Sequence, residues 1–389
     1  MSELQRRRIA VVTSSRADYG ILRWLIADLM ADPLIDCKVV VTGSHLVPEA
    51  GMTCTAIESD GVEIARRVEI QIASDTKAGM AKSAGLALLS FSDLFADLSP
   101  DVVVVLGDRY EMAAIALAAF LVGIPVAHVS GGEKTSGAID DSLRHVITKV
   151  SRFHFVAAEA YQRRVVQLGE QPETVFNVGD PGLDNIHRLD LLDREETARR
   201  LGLNPQRPFF LVTYHPATGE KTDQVEVMAT MLGALDRHTG HDIVLTMPNT
   251  DAGSHQIGKM AVDFAAVRPG RVHLSPSLGQ LLYLSAMRHC AVVVGNSSSG
   301  IVEAPALKKP TVNVGRRQEG RLKAASIIDC HMPAEIGRAL ETALSEAFQA
   351  SLAGVVSLYG DMDASRKIHT LLRDLDLSGG VGKEFHDIG

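Results

Sequence analysis

Asp108, Glu133, Asp140 and Asp141 crowd into the run Val102–His145, each just past a short apolar stretch or in the loop leading from one. Carboxyl groups held close together separate their proton affinities, so that one is ionised while a neighbour keeps its proton near neutral pH. Such a set can take a proton from a carbon atom on one face of a substrate and return one to the other. Arg109 and His128 stand among these acids. A single acid at such a place is as often a helix cap as a catalyst; several at one edge exceed what capping requires.

A second set of residues points to a bound anion. Val292–Gly295 is followed by Asn296, then Ser297, Ser298, Ser299 and Gly300, and a helical pattern begins there. Small side chains let a ligand approach the backbone, and the free N–H groups of a helix start favour a phosphate. Serine hydroxyls add donors, although one serine would suffice as a cap. Glu303, one turn further on, is placed to accept hydrogen bonds from a ribose diol. No lysine follows the glycines as in a Walker loop, and no GxGxxG fingerprint is present, so NAD is not indicated. Positive charge comes from Arg16, His215, Arg317 and Arg321, each just after an apolar run. Arginine forks suit diphosphate oxygens well.

The elements that must position these groups alternate regularly. Val102–Leu106 is wholly apolar, which marks a parallel strand covered on both faces. Ile9–Val12, Cys37–Val41, Pro125–Val129, Phe153–Ala157 and Val175–Val178 are further strands, with helices predicted after Ser15 and over about 81–96, 111–122 and 140–151. Asn204–Pro208 resembles a linker, after which the alternation restarts. Strands at Phe209–Thr213, Ile243–Leu245, Val272–Leu274, Val292–Val294 and Val312–Val314 carry helices between them at about 220–237, 254–266, 277–288 and 300–307. The expected fold is α/β, two Rossmann-like domains facing a central cleft, with ligands at the carboxyl ends of the strands. The first domain is expected over residues 1–182, joined by the tail 371–389, and the second over 183–370.

Composition excludes several classes. A formal net charge of −8 argues against a nucleic-acid surface, which would need a basic face. Cys37, Cys54, Cys290 and Cys330 show no paired or metal-like spacing and read as thiols of a reducing cytoplasm. The polar opening Met1–Arg8 is not a signal peptide, and the most apolar run, Met112–Val129, is broken by Gly123 and Pro125. No membrane association is expected.

Several segments together carry a family resemblance: TSSRADYG from Thr13, GDRYEM from Gly107, HVSGGEKT from His128, DDSLRHVITK from Asp140, PNTDAGS from Pro248, GNSSSGIVEAP from Gly295 and GRRQEGR from Gly315. The chain resembles, over nearly its whole length, the hydrolysing UDP-N-acetylglucosamine 2-epimerases of bacterial sialic and legionaminic acid synthesis. The resemblance implies a GT-B-like fold, a UDP-sugar substrate, no metal, no other cofactor, and a homo-oligomer, either dimer or tetramer. Carried over by position, it implies catalytic roles for Asp108, Glu133 and Asp140. Nucleotide contacts would fall on Arg16, His215, Ser297, Ser298, Glu303 and Arg317, and Asn249 would face the sugar. One departure stands out: some family members have a glutamate where this chain has Ser130, and Glu133 follows three residues later. The expected reaction converts UDP-N-acetylglucosamine to N-acetylmannosamine and UDP. The same reaction on a UDP-2,4-diacetamido-2,4,6-trideoxy sugar, a GT-B glycosyltransferase, a non-hydrolysing epimerase and a UDP-sugar-binding regulator are the alternatives.

Overall fold

The computed structural model describes residues 6–48, 51–74, 76–134, 139–216, 223–248 and 254–388. The chain forms two compact units. The first takes in the described residues up to Lys134, those from Ile139 to Asn185, and those from Tyr359 onward; the second runs from Ile186 to Leu358.

Unit one is built on β1 (Arg7–Thr13), β2 (Ile35–Thr42), β3 (Ile64–Val68), β4 (Val102–Leu106), β5 (Val126–Val129), β6 (Phe153–Val156) and β7 (Val175–Asn177). They lie in the order β3-β2-β1-β4-β5-β6-β7, with every pairing parallel. Side chains alternate across this sheet with period two. Ile9, Val11, Val102 and Val104 enter one core with Leu22, Leu25, Ile26 and Leu29 of the helix Arg16–Ala31. Ala10, Val12, Val103 and Val105 enter another with Phe91 and Phe95 of the helix Lys77–Leu98 and Ile115 of the helix Tyr110–Leu121. With both faces covered, β4 can be apolar at every position, and all five of its residues are buried. The helix Ala364–Asp374, near the end of the chain, returns to this unit and buries Ile368 and Leu372 in the first core.

Unit two repeats the plan with β8 (Phe209–Thr213), β9 (Asp242–Thr246), β10 (Val272–Ser275), β11 (Val292–Gly295), β12 (Thr311–Val314) and β13 (Ile327–Cys330). Their order is β10-β9-β8-β11-β12-β13. The alternation recurs: Phe210, Val212 and Val294 enter one core, Phe209, Leu211 and Val293 the other. Both sheets thus follow the 3-2-1-4-5-6 Rossmann order. In each, the order reverses between the first and fourth strands, where this fold opens a crevice at the carboxyl edge.

Two strands, β3 and β13, interrupt their apolar residues with charge. Both are edge strands, where charge is tolerated and discourages pairing with another chain. Arg66 and Arg67 occupy β3, and Asp329 of β13 accepts hydrogen bonds from Asn313 Nδ2 (2.7 Å) and Lys323 Nζ (2.8 Å). All four cysteines are free thiols, three of them buried. Among the described residues, no helix is long and apolar enough to cross a membrane.

Candidate active site

In unit one the crevice lies after β1 and β4. Gly107 leaves β4 at φ +79°, a conformation that favours glycine, and turns the chain so that Asp108 and Arg109 precede the helix Tyr110–Leu121. Gly107 N–H donates to Val129 O at 3.0 Å, which keeps this loop beside the one after β5. Ser130 opens that second loop with φ +64°. Its carbonyl accepts a 2.7 Å hydrogen bond from Arg144 Nη1.

Arg144, buried on the helix Ile139–Val150, joins the acids. Its Nη2 donates to Asp108 Oδ2, and its Nη1 lies 3.9 Å from Glu133 Oε2. Glu133 is 4% exposed, and a buried carboxyl group is stabilised by such a neighbour. Asp140 begins the same helix. Burial and the neighbouring Asp108 charge raise its pKa, while Arg109 and Arg144 oppose the shift. One cation thus holds two carboxylates while the third acid nearby is biased towards its protonated form. His128, wholly buried, ties the parts together. Burial lowers its pKa to about 3, so the ring is neutral. A carbonyl can only accept, so Nε2–H donates to Gly107 O at 2.7 Å, and Nδ1 lies 3.2 Å from Thr148 Oγ1 on the Arg144 helix. Asp141 stands 3.9 Å from His145 Nε2.

The other predicted cation of unit one, Arg16, is exposed at the first position of the helix Arg16–Ala31, which Ser15 caps through Asp18 N–H. Arg109 is bonded through Nε to Glu111 Oε1.

In unit two the crevice lies after β8 and β11. Gly295 sits at φ +128°, and a Cβ there would come 1.9 Å from Thr213 O. The glycine therefore permits the close approach of the two strand ends. Asn296 then clamps His215 in both directions: its Oδ1 accepts from His215 N–H (2.8 Å) and its Nδ2 donates to His215 O (2.7 Å). Asn296 O in turn accepts from Arg317 Nη1 (3.1 Å) and Gln318 Nε2 (2.9 Å). His215, the serine loop and the Gly315–Arg321 loop are thereby held together. Ser298 is the N-cap of the helix Ser299–Ala306 but makes no side-chain capping bond. Ser299 Oγ bonds Ser297 Oγ (2.9 Å) and Tyr283 Oη (2.6 Å). Burial raises the Tyr283 pKa, Glu303 adding to the effect, which places that carboxylate near the phenol. Arg321 N–H donates to Gln318 O at 3.4 Å. Asn249 lies outside the described residues.

Each half of the predicted set is gathered at the carboxyl edge of its own sheet. Arg144, Asn296 and Gln318, which hold these loops together, are absent from the set predicted from sequence. Each lies in a segment that carries the family resemblance, and Asn296, between an apolar strand and a serine run, also has a local signal.

The family model described as UDP-N-acetylglucosamine 2-epimerase matches residues 27–373. A Campylobacter jejuni protein named GDP/UDP-N,N'-diacetylbacillosamine 2-epimerase (hydrolyzing) is 36% identical, over 99% of this chain and 100% of its own. A Legionella pneumophila UDP-N,N'-diacetylbacillosamine 2-epimerase (hydrolyzing) is 35% identical, over 95% and 97%. The crystal structure of a Neisseria meningitidis UDP-GlcNAc 2-epimerase bound to UDP-GlcNAc has a TM-score of 0.81 at 18% identity, covering 94% of this chain and 100% of that one. At that identity the likeness shows the fold, which is GT-B-like. By family model and by relatives matched from end to end, the chain belongs to the hydrolysing branch of the UDP-N-acetylglucosamine 2-epimerase family.

Proposed function

We propose that this chain converts a UDP-2-acetamido sugar and water into UDP and the free sugar epimerised at C2. The observation that carries the reading is the acid set around Arg144, two carboxylates on one buried cation with a third acid biased towards protonation. The C2 proton of such a sugar is weakly acidic, so an ionised carboxylate must be held against it. We assign that role to Asp108. Loss of the proton and departure of UDP from C1 leave a 2-acetamidoglycal. Water then adds its oxygen to C1, and a proton returns to C2 on the opposite face, with Glu133 and Asp140 sharing proton return and water activation. The departing diphosphate is assigned to Arg16, Arg317, Arg321, His215 and the Ser297–Ser299 loop, and the ribose to Glu303. Arg109 and Asn249 are assigned to the substrate.

For the sugar, the relatives at 36% and 35% identity, both named for N,N'-diacetylbacillosamine nucleotides, favour UDP-2,4-diacetamido-2,4,6-trideoxyglucose. UDP-N-acetylglucosamine is the second reading, favoured by a 32% identical Neisseria meningitidis UDP-N-acetylglucosamine 2-epimerase matched over 83% of this chain. Both sugars, supplied separately in heavy water, test the proposal. The expected result is UDP release, faster from the diacetamido sugar, with a free C2-epimer carrying deuterium at C2. Product without deuterium at C2 refutes the proton-abstraction route. A UDP-bound epimer without free UDP refutes hydrolysis.

A further inference from the structure

At the carboxyl ends of β1 and β4, two carboxyl groups share one hydroxyl. Ser14 Oγ lies 2.8 Å from Asp18 Oδ2 and 2.9 Å from Glu111 Oε1. All three residues are buried, Asp18 at 8% exposure and Glu111 at 1%. A serine hydroxyl has one hydrogen and can donate to only one of the two oxygens. The other contact is a hydrogen bond only if that carboxyl group carries a proton and donates it to Ser14 Oγ. Arg109 decides which one. Its Nε donates to the same Oε1 of Glu111 that meets Ser14, and a guanidinium favours the ionised carboxylate. Glu111 Oε2 is buried with no hydrogen-bond partner among the described residues, so Arg109 and Ser14 are the polar partners seen on this carboxylate. Asp18 is met by Ser14 Oγ, a long 3.3 Å contact from Ser14 N–H and the Ser15 hydroxyl, all neutral groups, whereas Glu111 receives a guanidinium.

We propose that Asp18, Ser14 and Glu111 together hold one proton, on Asp18, and that the ionised Glu111 is a positioning residue that fixes Arg109 at the carboxyl edge of β4. Asp18 donates to Ser14 Oγ, Ser14 donates to Glu111, and Glu111 accepts from Arg109. The charged groups facing Asp18 are Arg109 and Glu111; burial is the largest influence on its pKa and raises it. His45, on the neighbouring turn, bonds Thr13 Oγ1 at 3.0 Å, and burial lowers its pKa to about 4, so it adds no charge at neutral pH. The device matters beyond its own contacts. Arg109 is one of the two cations that counter the upward shift of Asp140, so releasing it leaves Asp140 holding its proton more firmly. The effect on turnover rests on the proposed reaction; the location of the proton does not.

Infrared difference spectra of the full chain test the assignment. At neutral pH, in an Asp140→Asn background that removes the other acid biased towards its proton, the carbonyl stretch of a protonated carboxyl group, shifted in heavy water, is expected in the background protein and with Glu111→Gln added, and absent with Asp18→Asn added. Its loss in Glu111→Gln with retention in Asp18→Asn overturns the proposal, as does its persistence in both. If Asp18→Asn does not fold, aspartate labelled with carbon-13 at the side-chain carboxyl, in an Asp140→Asn background, gives the same reading: the band moves with the label or the proposal fails. In kinetics, Glu111→Gln is expected to lower kcat by about 10- to 100-fold and to displace its pH profile upward, with Glu111→Asp recovering part of the loss. A Glu111→Gln enzyme with an unmoved pH profile removes the positioning role. Absence of turnover with any UDP-sugar, alongside the expected infrared result, would refute the proposed reaction and leave the proton assignment standing.

Discussion

Asp108 and Glu133 meet on Arg144, and the consequences of that meeting are specific to each side chain. Glu133 is buried 3.9 Å from the cation, whereas Asp108 retains 22% side-chain exposure and is the more open of the two to a substrate. Proton transfer by a positioned side chain contributes about 10²–10⁴-fold to rate. Asp108→Asn keeps the shape and removes the base, so kcat is expected to fall by about that factor. UDP affinity, measured by calorimetry, should stay within about twofold, because the diphosphate contacts are assigned to other residues. Near-normal turnover in this variant would remove Asp108 from the scheme. The asymmetry between Asp108 and Asp140 serves the chemistry: one acid is paired to a cation, and the other is pushed towards its neutral form by burial and by the first.

Elements enter through the places where they are forced close. At Gly295 a methyl group would sit 1.9 Å from Thr213 O, on a backbone with φ +128°. Gly295→Ala is expected to cost about 3 kcal/mol or more and to separate the His215 strand end from the serine loop. Urea unfolding reads the first effect, and weakened UDP binding reads the second. The helix that carries Asp140 and Arg144 is secured at its far end by Glu170. This carboxylate is 1% exposed and accepts from Lys149 Nζ (2.6 Å), Lys383 Nζ (2.5 Å) and His154 Nε2 (3.2 Å). Burial opposes its charge, but these donors outweigh it and bring its pKa from 4.5 down to about 2. A depressed carboxylate pKa stabilises the fold above the unfolded value, and that stability is lost as pH falls from about 4.5 through about 2. His154 acts in the same direction, since burial lowers its pKa and unfolding lets it take up a proton. Glu170→Gln is therefore expected to be less stable at pH 7 and to lose less on acidification, a flatter acid limb in urea midpoints against pH. A limb as steep as that of the wild type would show that another group governs acid unfolding.

On the scale of the whole molecule, the chain visits unit one twice. The segment from Tyr359 onward rejoins it after all of unit two has been made. Ile368 and Leu372 fill the core beside β1 and the helix Arg16–Ala31, and Lys383 reaches Glu170. Phe385 lies against Gly169, where a Cβ would run into its ring, and over it stands Lys149 Nζ at 5.0 Å from the centroid. Removing each large core side chain costs about 2–5 kcal/mol. A chain ended at Leu358 should therefore lose cooperative unfolding of unit one while unit two, which keeps all its strands, retains its own transition. Hydrogen exchange resolves the two: amides of β1 and β2 are expected to lose protection and those of β8 and β11 to keep it. Protected β1 and β2 in the shortened chain would contradict this.

The sequence by itself determined the central strands, the loops that follow them and the acids and serines those loops carry. The reason is local: a strand covered on both faces must be apolar at every position, and in a parallel sheet the loop after each strand emerges at the same edge. β4 and β8 were legible to the residue in this way, whereas β3 and β13, charged at the sheet edges, were not. Tertiary structure alone decided the partners. Arg144 lies 36 positions from Asp108, Asn296 81 from His215, and Glu111 97 from Ser14. Those pairs meet because β4 lies beside β5, β8 beside β11 and β1 beside β4. Strand order is set by how both cores close, so no local pattern in the chain encodes which side chain balances which charge.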